Sequence, residues 1–105
     1  MSGCCVLREL IISHSELMDD ISTLQVEIDD IDTQLIRLLK DRFLRSRRIG
    51  VIKRRNNQPS VDPARAQRQR QRFVEQSIEA NLDARMADRL ISVLIEQVIA
   101  ERAAP

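Results

Sequence analysis

Apolar residues recur every three or four positions through the first half of the chain. The six positions are Ile21, Leu24, Ile28, Ile31, Leu35 and Leu38. This spacing predicts one face of a long amphipathic helix, of the kind found in coiled coils. Because no proline occurs before Pro59, we expect a helix from about Asp19 to about Arg55. At ~1.5 Å per residue, this helix is roughly 55 Å long.

A second helix is predicted after a short turn. Residues 56–60, Asn-Asn-Gln-Pro-Ser, have the composition of a turn. Asp62 followed by Pro63 is typical of a helix start, with the aspartate as N-cap and the proline at the first helical position. We expect this helix to end near Asn81.

A third helix is predicted to begin at Asp83, as its cap, and to continue to about Arg102. Its apolar stripe contains Met86, Leu90, Val93, Leu94 and Val98. No segment has the pattern of a strand, so the predicted class is all-α. Residues 1–17 have no sustained period and are expected to form a loosely ordered leader, with residues 18–105 as the helical domain.

The first predicted helix is too long to be covered by the rest of the chain. A compact domain of this length has a radius of gyration of only ~13 Å, and about fifty residues remain to cover the helix. The apolar face is best buried by a second copy of the chain. We therefore expect an intertwined or closely packed homodimer.

The cysteines and the apolar segments indicate the compartment. Cys4 and Cys5 are adjacent and cannot join distant segments by disulfide bridges, which favours a reducing compartment. No apolar run has the length of a membrane span. The apolar run at residues 6–12 is interrupted by Arg8 and Glu9, which is not typical of a signal peptide. The sequence predicts a cytoplasmic protein.

The net charge of +1 conceals a strongly basic central segment. From Arg42 to Arg72 there are ten arginines and one lysine against a single acid, Asp62, which gives +10. One interpretation is a dimeric module that binds nucleic acid or another partner, because such side chains neutralise phosphates. Against it, aromatic residues for base stacking make up only 2% of the chain, and the basic residues point around the helix. Nucleic-acid retention that falls steeply with added salt would favour this class.

Two of these cations share one helix face with a small and an apolar residue. Arg42, Ser46, Ile49 and Lys53 follow at i, i+4, i+7 and i+11, which is the outline of a pocket for a small anion. Arg42 also continues the apolar seam, where a charge needs solvent or an anion. The simpler interpretation is a solvated face, and we expect that environment for Arg45, Arg47, Arg48, Arg54, Arg55, Arg68, Arg70 and Arg72.

Six short segments occur in a recognisable order. They are Ile28-Asp29-Asp30-Ile31-Asp32, Leu38-Leu39-Lys40-Asp41-Arg42, Ile49-Gly50-Val51-Ile52-Lys53, Val61-Asp62-Pro63-Ala64-Arg65, and Leu82-Asp83 followed by Leu94-Ile95-Glu96. In combination, over about Leu24 to Arg102, they resemble the all-helical chorismate mutases of the AroQ class. The resemblance implies an intertwined homodimer of three-helix chains, with two active sites that are each lined by both chains.

The activity implied by the resemblance is that of an isomerase, which rearranges chorismate to prephenate on the route to phenylalanine and tyrosine. No metal or organic cofactor is implied. Arg42 would bind a substrate carboxylate, and Lys53 would contact the ether oxygen and a carboxylate. Arg65 would support the anionic end of the substrate, and Asp62 would lie near the ring hydroxyl. Such a reaction needs a compact substrate conformer and charge stabilisation, with no nucleophile.

Two departures from the family pattern concern the carboxylate and the ring hydroxyl. Gln25 stands where the family has an arginine supplied by the second subunit. Ala66 stands where a glutamate accepts a hydrogen bond from the ring hydroxyl. The loss of this acid leaves open related reactions on the same fold, namely those of isochorismate pyruvate lyase and aminodeoxychorismate mutase.

Two further departures lie on the third helix. Val98 replaces a common serine, and Arg102 stands where a glutamine or glutamate meets the ether oxygen. Arg102 would place a cation there. If the register is shifted by one residue, Gln97 and Glu101 take these two places instead.

Overall fold

Three α-helices make up the part of the chain that the structure describes. The computed structural model describes the backbone of residues 14–103, and the side chains from residue 20 onward. The helices are α1 (His14–Arg55), α2 (Pro63–Glu79) and α3 (Ala84–Ala103), and these residues contain no strand. The predicted all-α class with a very long first helix is therefore confirmed. Within this range, no helix combines the length and apolarity that a membrane span requires.

The helix boundaries differ from the predicted ones by a few residues. Helix α1 begins at His14, ahead of the predicted start near Asp19, and ends at Arg55 as predicted. Helix α2 ends at Glu79, shortly before the predicted end near Asn81. Helix ends carry weak sequence signals, because only the cap residues mark them. Most of the predicted leader, with Cys4 and Cys5, lies outside the described residues.

The chain divides into two compact units, with the division between Asp41 and Arg42. In the first unit, α1 carries the predicted apolar seam. All six seam residues are exposed, from 43% for Ile21 to 65% for Leu38. The helical period is thus as predicted, and a single chain leaves this face open to water.

In the second unit, α2 and α3 pack against each other around a small core. Among the described residues, the buried apolar side chains are Ala87 and Ile91, the buried polar one is Ser77, and Gly50 of α1 is also buried. An ion pair between Arg70 and Asp88, with a nitrogen–oxygen distance of 3.3 Å, joins the two helices at the surface. Because Ile91 is the one large apolar side chain buried in this described core, the core contributes little apolar burial to the stability of the unit.

Aspartate caps and left-handed asparagines shape the connections between helices. Asp62 Oδ1 accepts a hydrogen bond from the Arg65 backbone N–H at 3.1 Å, and a proline follows the cap as predicted. Asp83 Oδ1 accepts two backbone N–H groups of the first turn of α3, at 2.8 and 3.0 Å. Asn57 and Asn81, just after α1 and α2, have φ angles of 55° and 61°. Asparagine adopts this conformation more readily than most residues.

The Asp83 cap offers a test of local stability away from the basic segment. We expect Asp83→Ala to lower the free energy of unfolding by about 1 kcal/mol, because two backbone donors lose their acceptor. Asp83→Ser, which keeps a capping oxygen, is the matched control and should stay close to the wild type. Urea unfolding followed by circular dichroism measures both. An equal loss in the two variants would show that the cap is not the cause.

Candidate active site

The predicted face of α1 lines a cavity in the second unit. Arg42, Ser46, Ile49 and Lys53 all contribute to this cavity, which has a volume of about 420 Å³. Their helical spacing places them on one side of α1, so one regular helix positions two cations and the surface between them. The volume lies within the range of small-molecule sites.

The rest of the wall comes from the loop before α2 and from the other two helices. Residues of α2 and its cap recur at i, i+3, i+4 and i+7, so they face the cavity together. They are Asp62, Arg65, Ala66 and Gln69, with Val61 from the preceding loop. Helix α3 adds Ile95, Val98, Ile99 and Arg102. The cavity thus has a cationic side on α1 and an apolar side on α3.

The cavity has a strong excess of positive charge. Its basic residues are Arg42, Arg45, Lys53, Arg65 and Arg102, and its acidic residue is Asp62. Burial, and secondarily the positive charge of Arg65, lowers the pKa of Arg42 from its ordinary value. Both causes disfavour the protonated guanidinium of Arg42. An anion bound between the two arginines would stabilise this protonated form. The electrostatics therefore favour a ligand with more than one negative charge.

The Arg102 guanidinium is held by three hydrogen bonds to the protein. Nη1 donates a hydrogen bond to the Ser60 carbonyl oxygen at 2.9 Å. Nη2 donates to the carbonyl oxygen and to the hydroxyl of Ser46, both at 3.1 Å. Nε is buried, without a hydrogen-bond partner among the described atoms. All three acceptor oxygens are neutral, so the charge of Arg102 is not cancelled by them.

The structure brings five of the six predicted site residues to one cavity: Arg42, Lys53, Asp62, Arg65 and Arg102. The sixth, Gln25, lies on α1 in the first unit and does not line this cavity.

The register of α3 is the unshifted one. Val98 and Arg102 face the cavity, whereas Gln97 does not line it. The Glu101 carboxylate instead pairs with Arg47 at 3.0 Å, and this hydrogen bond lowers the pKa of Glu101. Glu101 is thereby engaged outside the cavity.

Two polar residues of the cavity were not predicted. Gln69 lies one turn beyond Ala66, and its side chain makes no hydrogen bond within the described part of the chain. Its position seven residues after Asp62 was the available signal, because i and i+7 share a helix face. Arg45 was expected to be a purely solvated charge, and it also lines the cavity while remaining exposed.

The described residues contain no group of three or more His, Cys, Asp or Glu side chains with the geometry of a metal site. The polar groups that converge on the cavity are mainly guanidinium, ammonium and amide donors, together with the Ser46 hydroxyl and the Asp62 carboxylate. These groups recognise carboxylates or phosphates through charge-assisted hydrogen bonds.

Comparison with known proteins identifies one family. The family model described as chorismate mutase type II matches residues 24–103, which include nearly all of the described helices. No curated protein matches the chain at a significant level.

The repulsion between Arg42 and Arg65 predicts that removing one charge preserves the stability of the ligand-free protein and weakens its binding of anions. We expect Arg65→Gln to leave the ligand-free protein as stable as the wild type, or more stable by a few tenths of a kcal/mol, because a like charge is removed. Thermal unfolding without ligand measures this effect. The same variant should lose most of the thermal stabilisation that an added dicarboxylate gives the wild type. A clear loss of ligand-free stability would contradict the repulsion argument.

Proposed function

Because the chain belongs to the chorismate mutase type II family, a family of isomerases, we propose that it rearranges chorismate to prephenate. The observation that carries this proposal is the convergence of Arg42, Lys53, Asp62 and Arg65 on one cavity. Chorismate carries two carboxylates, and the excess of cations in the cavity matches such a dianion. The product is the branch-point precursor of phenylalanine and tyrosine.

Arg42 and Lys53 have different tasks in this proposal. The planar fork of Arg42 suits a bidentate grip on one carboxylate. Its lowered pKa means that binding an anion there recovers free energy that burial had cost. Lys53 lies eleven residues further along the same face, and its ammonium contacts the ether oxygen. That oxygen gains negative charge as the carbon–oxygen bond breaks, so Lys53 stabilises the transition state more than the ground state.

The other walls hold the substrate in its reactive shape. Arg65 supports the second carboxylate, and Asp62 lies near the ring hydroxyl while it caps α2. The apolar side chains of Ile95, Val98 and Ile99 limit the water around the reacting atoms. The reaction joins two ends of one molecule, so confinement to the compact conformer lowers the entropic part of the barrier.

We further propose that the active enzyme is a homodimer and that it acts in the cytoplasm. The exposed seam of α1 supports a dimer, because six large apolar side chains in register are rarely left in water. In such a dimer, Gln25 of one chain completes the site of the other by donating a hydrogen bond to a carboxylate. The adjacent cysteines support a reducing compartment.

Ala66 is the specific observation that favours a related substrate on the same fold. It lines the cavity where an acid would read the ring hydroxyl. Isochorismate and 4-amino-4-deoxychorismate are therefore tested beside chorismate, and the products are identified by chromatography. Conversion of either one in preference to chorismate would transfer the proposal to the lyase or to the amino-substituted mutase reaction.

The decisive test combines turnover with loss of the Lys53 ammonium. Wild-type protein should convert chorismate to prephenate, followed as loss of the diene absorbance. Lys53→Ala should reduce kcat by about 100-fold or more, because a donor to the developing negative charge is removed. Arg48→Ala is the matched control, since it removes a cation from an exposed position of α1 outside the cavity. This control should turn over chorismate like the wild type.

Two outcomes would contradict this proposal in different ways. Absence of prephenate above the uncatalysed background would refute mutase activity itself. Turnover that survives Lys53→Ala nearly unchanged would refute the role of Lys53 and leave the activity in place.

The dimer proposal is tested by placing a charge on the seam. Ile31→Glu should shift the protein from dimer to monomer in light scattering and abolish turnover, because the buried face would then contain an unpaired carboxylate. Arg37→Glu changes the charge of an exposed position beside the seam and should stay dimeric. A wild-type protein that is monomeric and fully active would overturn the shared-site proposal.

A further inference from the structure

A second cavity lies beside the first and shares part of its wall. It has a volume of about 300 Å³ and is bounded by α1, by α3 and by the loop before α2. Three residues line both cavities: Ser46, Val98 and Arg102. The side chain of Arg102 therefore lies between two open spaces, and three hydrogen bonds hold its guanidinium.

The contacts of Arg102 join three separate segments of the second unit. Its own backbone belongs to the last turn of α3. One side of its guanidinium binds the Ser46 carbonyl and hydroxyl oxygens on α1, and the other binds the Ser60 carbonyl oxygen. Ser60 lies two residues before Asp62, which caps α2 and lines the first cavity. The backbone hydrogen bonds outside the helices, among the described residues, are local and do not join these three segments to one another.

The absence of a side chain at Gly50 leaves space for the Arg102 side chain against α1. Gly50 lies one turn after Ser46 on α1, and a Cβ there would meet Arg102 Nε at 3.6 Å and Cγ at 3.9 Å. The arginine stem therefore passes directly over the backbone of α1. Glu101, the neighbouring acid, is paired with Arg47. The Arg102 guanidinium is thus bound by neutral oxygens alone.

We propose that Arg102 is a positioning residue, which fixes the loop at Ser60 against Ser46 and so holds Asp62 and Arg65 at the first cavity. In the family pattern this position contacts the ether oxygen, and in this chain both terminal nitrogens donate hydrogen bonds to protein oxygens. In this proposal Arg102 prepares the free enzyme for binding and takes no part in the bond changes. The kinetic effect of Arg102 rests on the proposed mutase activity. The effect of Arg102 on the loop at Ser60 does not depend on that activity.

A positioning role and a catalytic role for Arg102 predict changes in different kinetic parameters. Loss of a positioning residue lowers the fraction of molecules with a formed site, which weakens apparent affinity. Arg102→Ala should therefore raise KM about tenfold while kcat stays within about threefold. Loss of a contact made only in the transition state would instead lower kcat by about 100-fold with KM nearly unchanged. That second result would overturn the proposal.

Arg102→Lys separates positioning from charge. Lysine keeps the positive charge and much of the stem, but its single ammonium cannot span the Ser46 and Ser60 acceptors in the same forked geometry. We expect Arg102→Lys to raise KM nearly as much as Arg102→Ala does. A lysine variant with wild-type KM would show that charge alone matters, and would overturn the proposal. Arg89→Ala, at an exposed position of α3 outside both cavities, is the control.

Hydrogen exchange without any ligand completes the test. Peptides that cover residues 56–66 should exchange roughly tenfold faster in both Arg102 variants, because the Ser60 carbonyl loses its forked arginine partner on α3. Peptides that cover the junction between α2 and α3 should be unchanged. If the loop exchanges at the wild-type rate in both variants, Arg102 does not position it. This readout stands even if the wild type fails to convert chorismate, so the two proposals fail separately.

Discussion

The concentration of positive charge around one cavity is the constraint on which the second unit depends. Burial of Arg42 on α1, and secondarily the positive charge of Arg65 on α2, lowers the pKa of Arg42. Both effects cost free energy in the empty protein, and a bound anion offsets this cost. The fold keeps this cost tolerable, since Arg65 remains exposed and Arg42 is only half-buried. The cavity is thus a compromise between a stable empty protein and a strong affinity for dianions.

What could be predicted from the sequence depended on short sequence separations. Arg42 and Lys53 lie on one helix, so the helical period alone places them on one face. Asp62 and Pro63 mark a helix start, and Arg65 follows within the first turn. These local rules predict which residues of α1 and α2 line the cavity, because each rule involves one element whose geometry is nearly fixed.

The contacts that cross between elements could not be predicted in this way. Arg102 binds oxygens that lie 42 and 56 residues earlier in the chain, and no periodicity connects them. The resemblance to a family placed Arg102 near the site but associated that position with the substrate. Its side chain instead has protein partners, since an arginine is long enough to reach across Gly50 to Ser46. The start of α1 at His14 was missed, although Leu17 lies four residues before Ile21 and continues the apolar spacing one turn earlier.

Asp62 has two roles, which restricts the substitutions that this position can accept. One carboxylate both begins α2 and lies in the wall of the cavity. A substitution at this position that lacks a capping oxygen would change the cavity and also weaken the helix that carries Arg65. Asp83, which has only a capping task, carries no such double constraint. Change of specificity is therefore easier at positions such as Ala66 and Gln69, which face the cavity without holding the fold together.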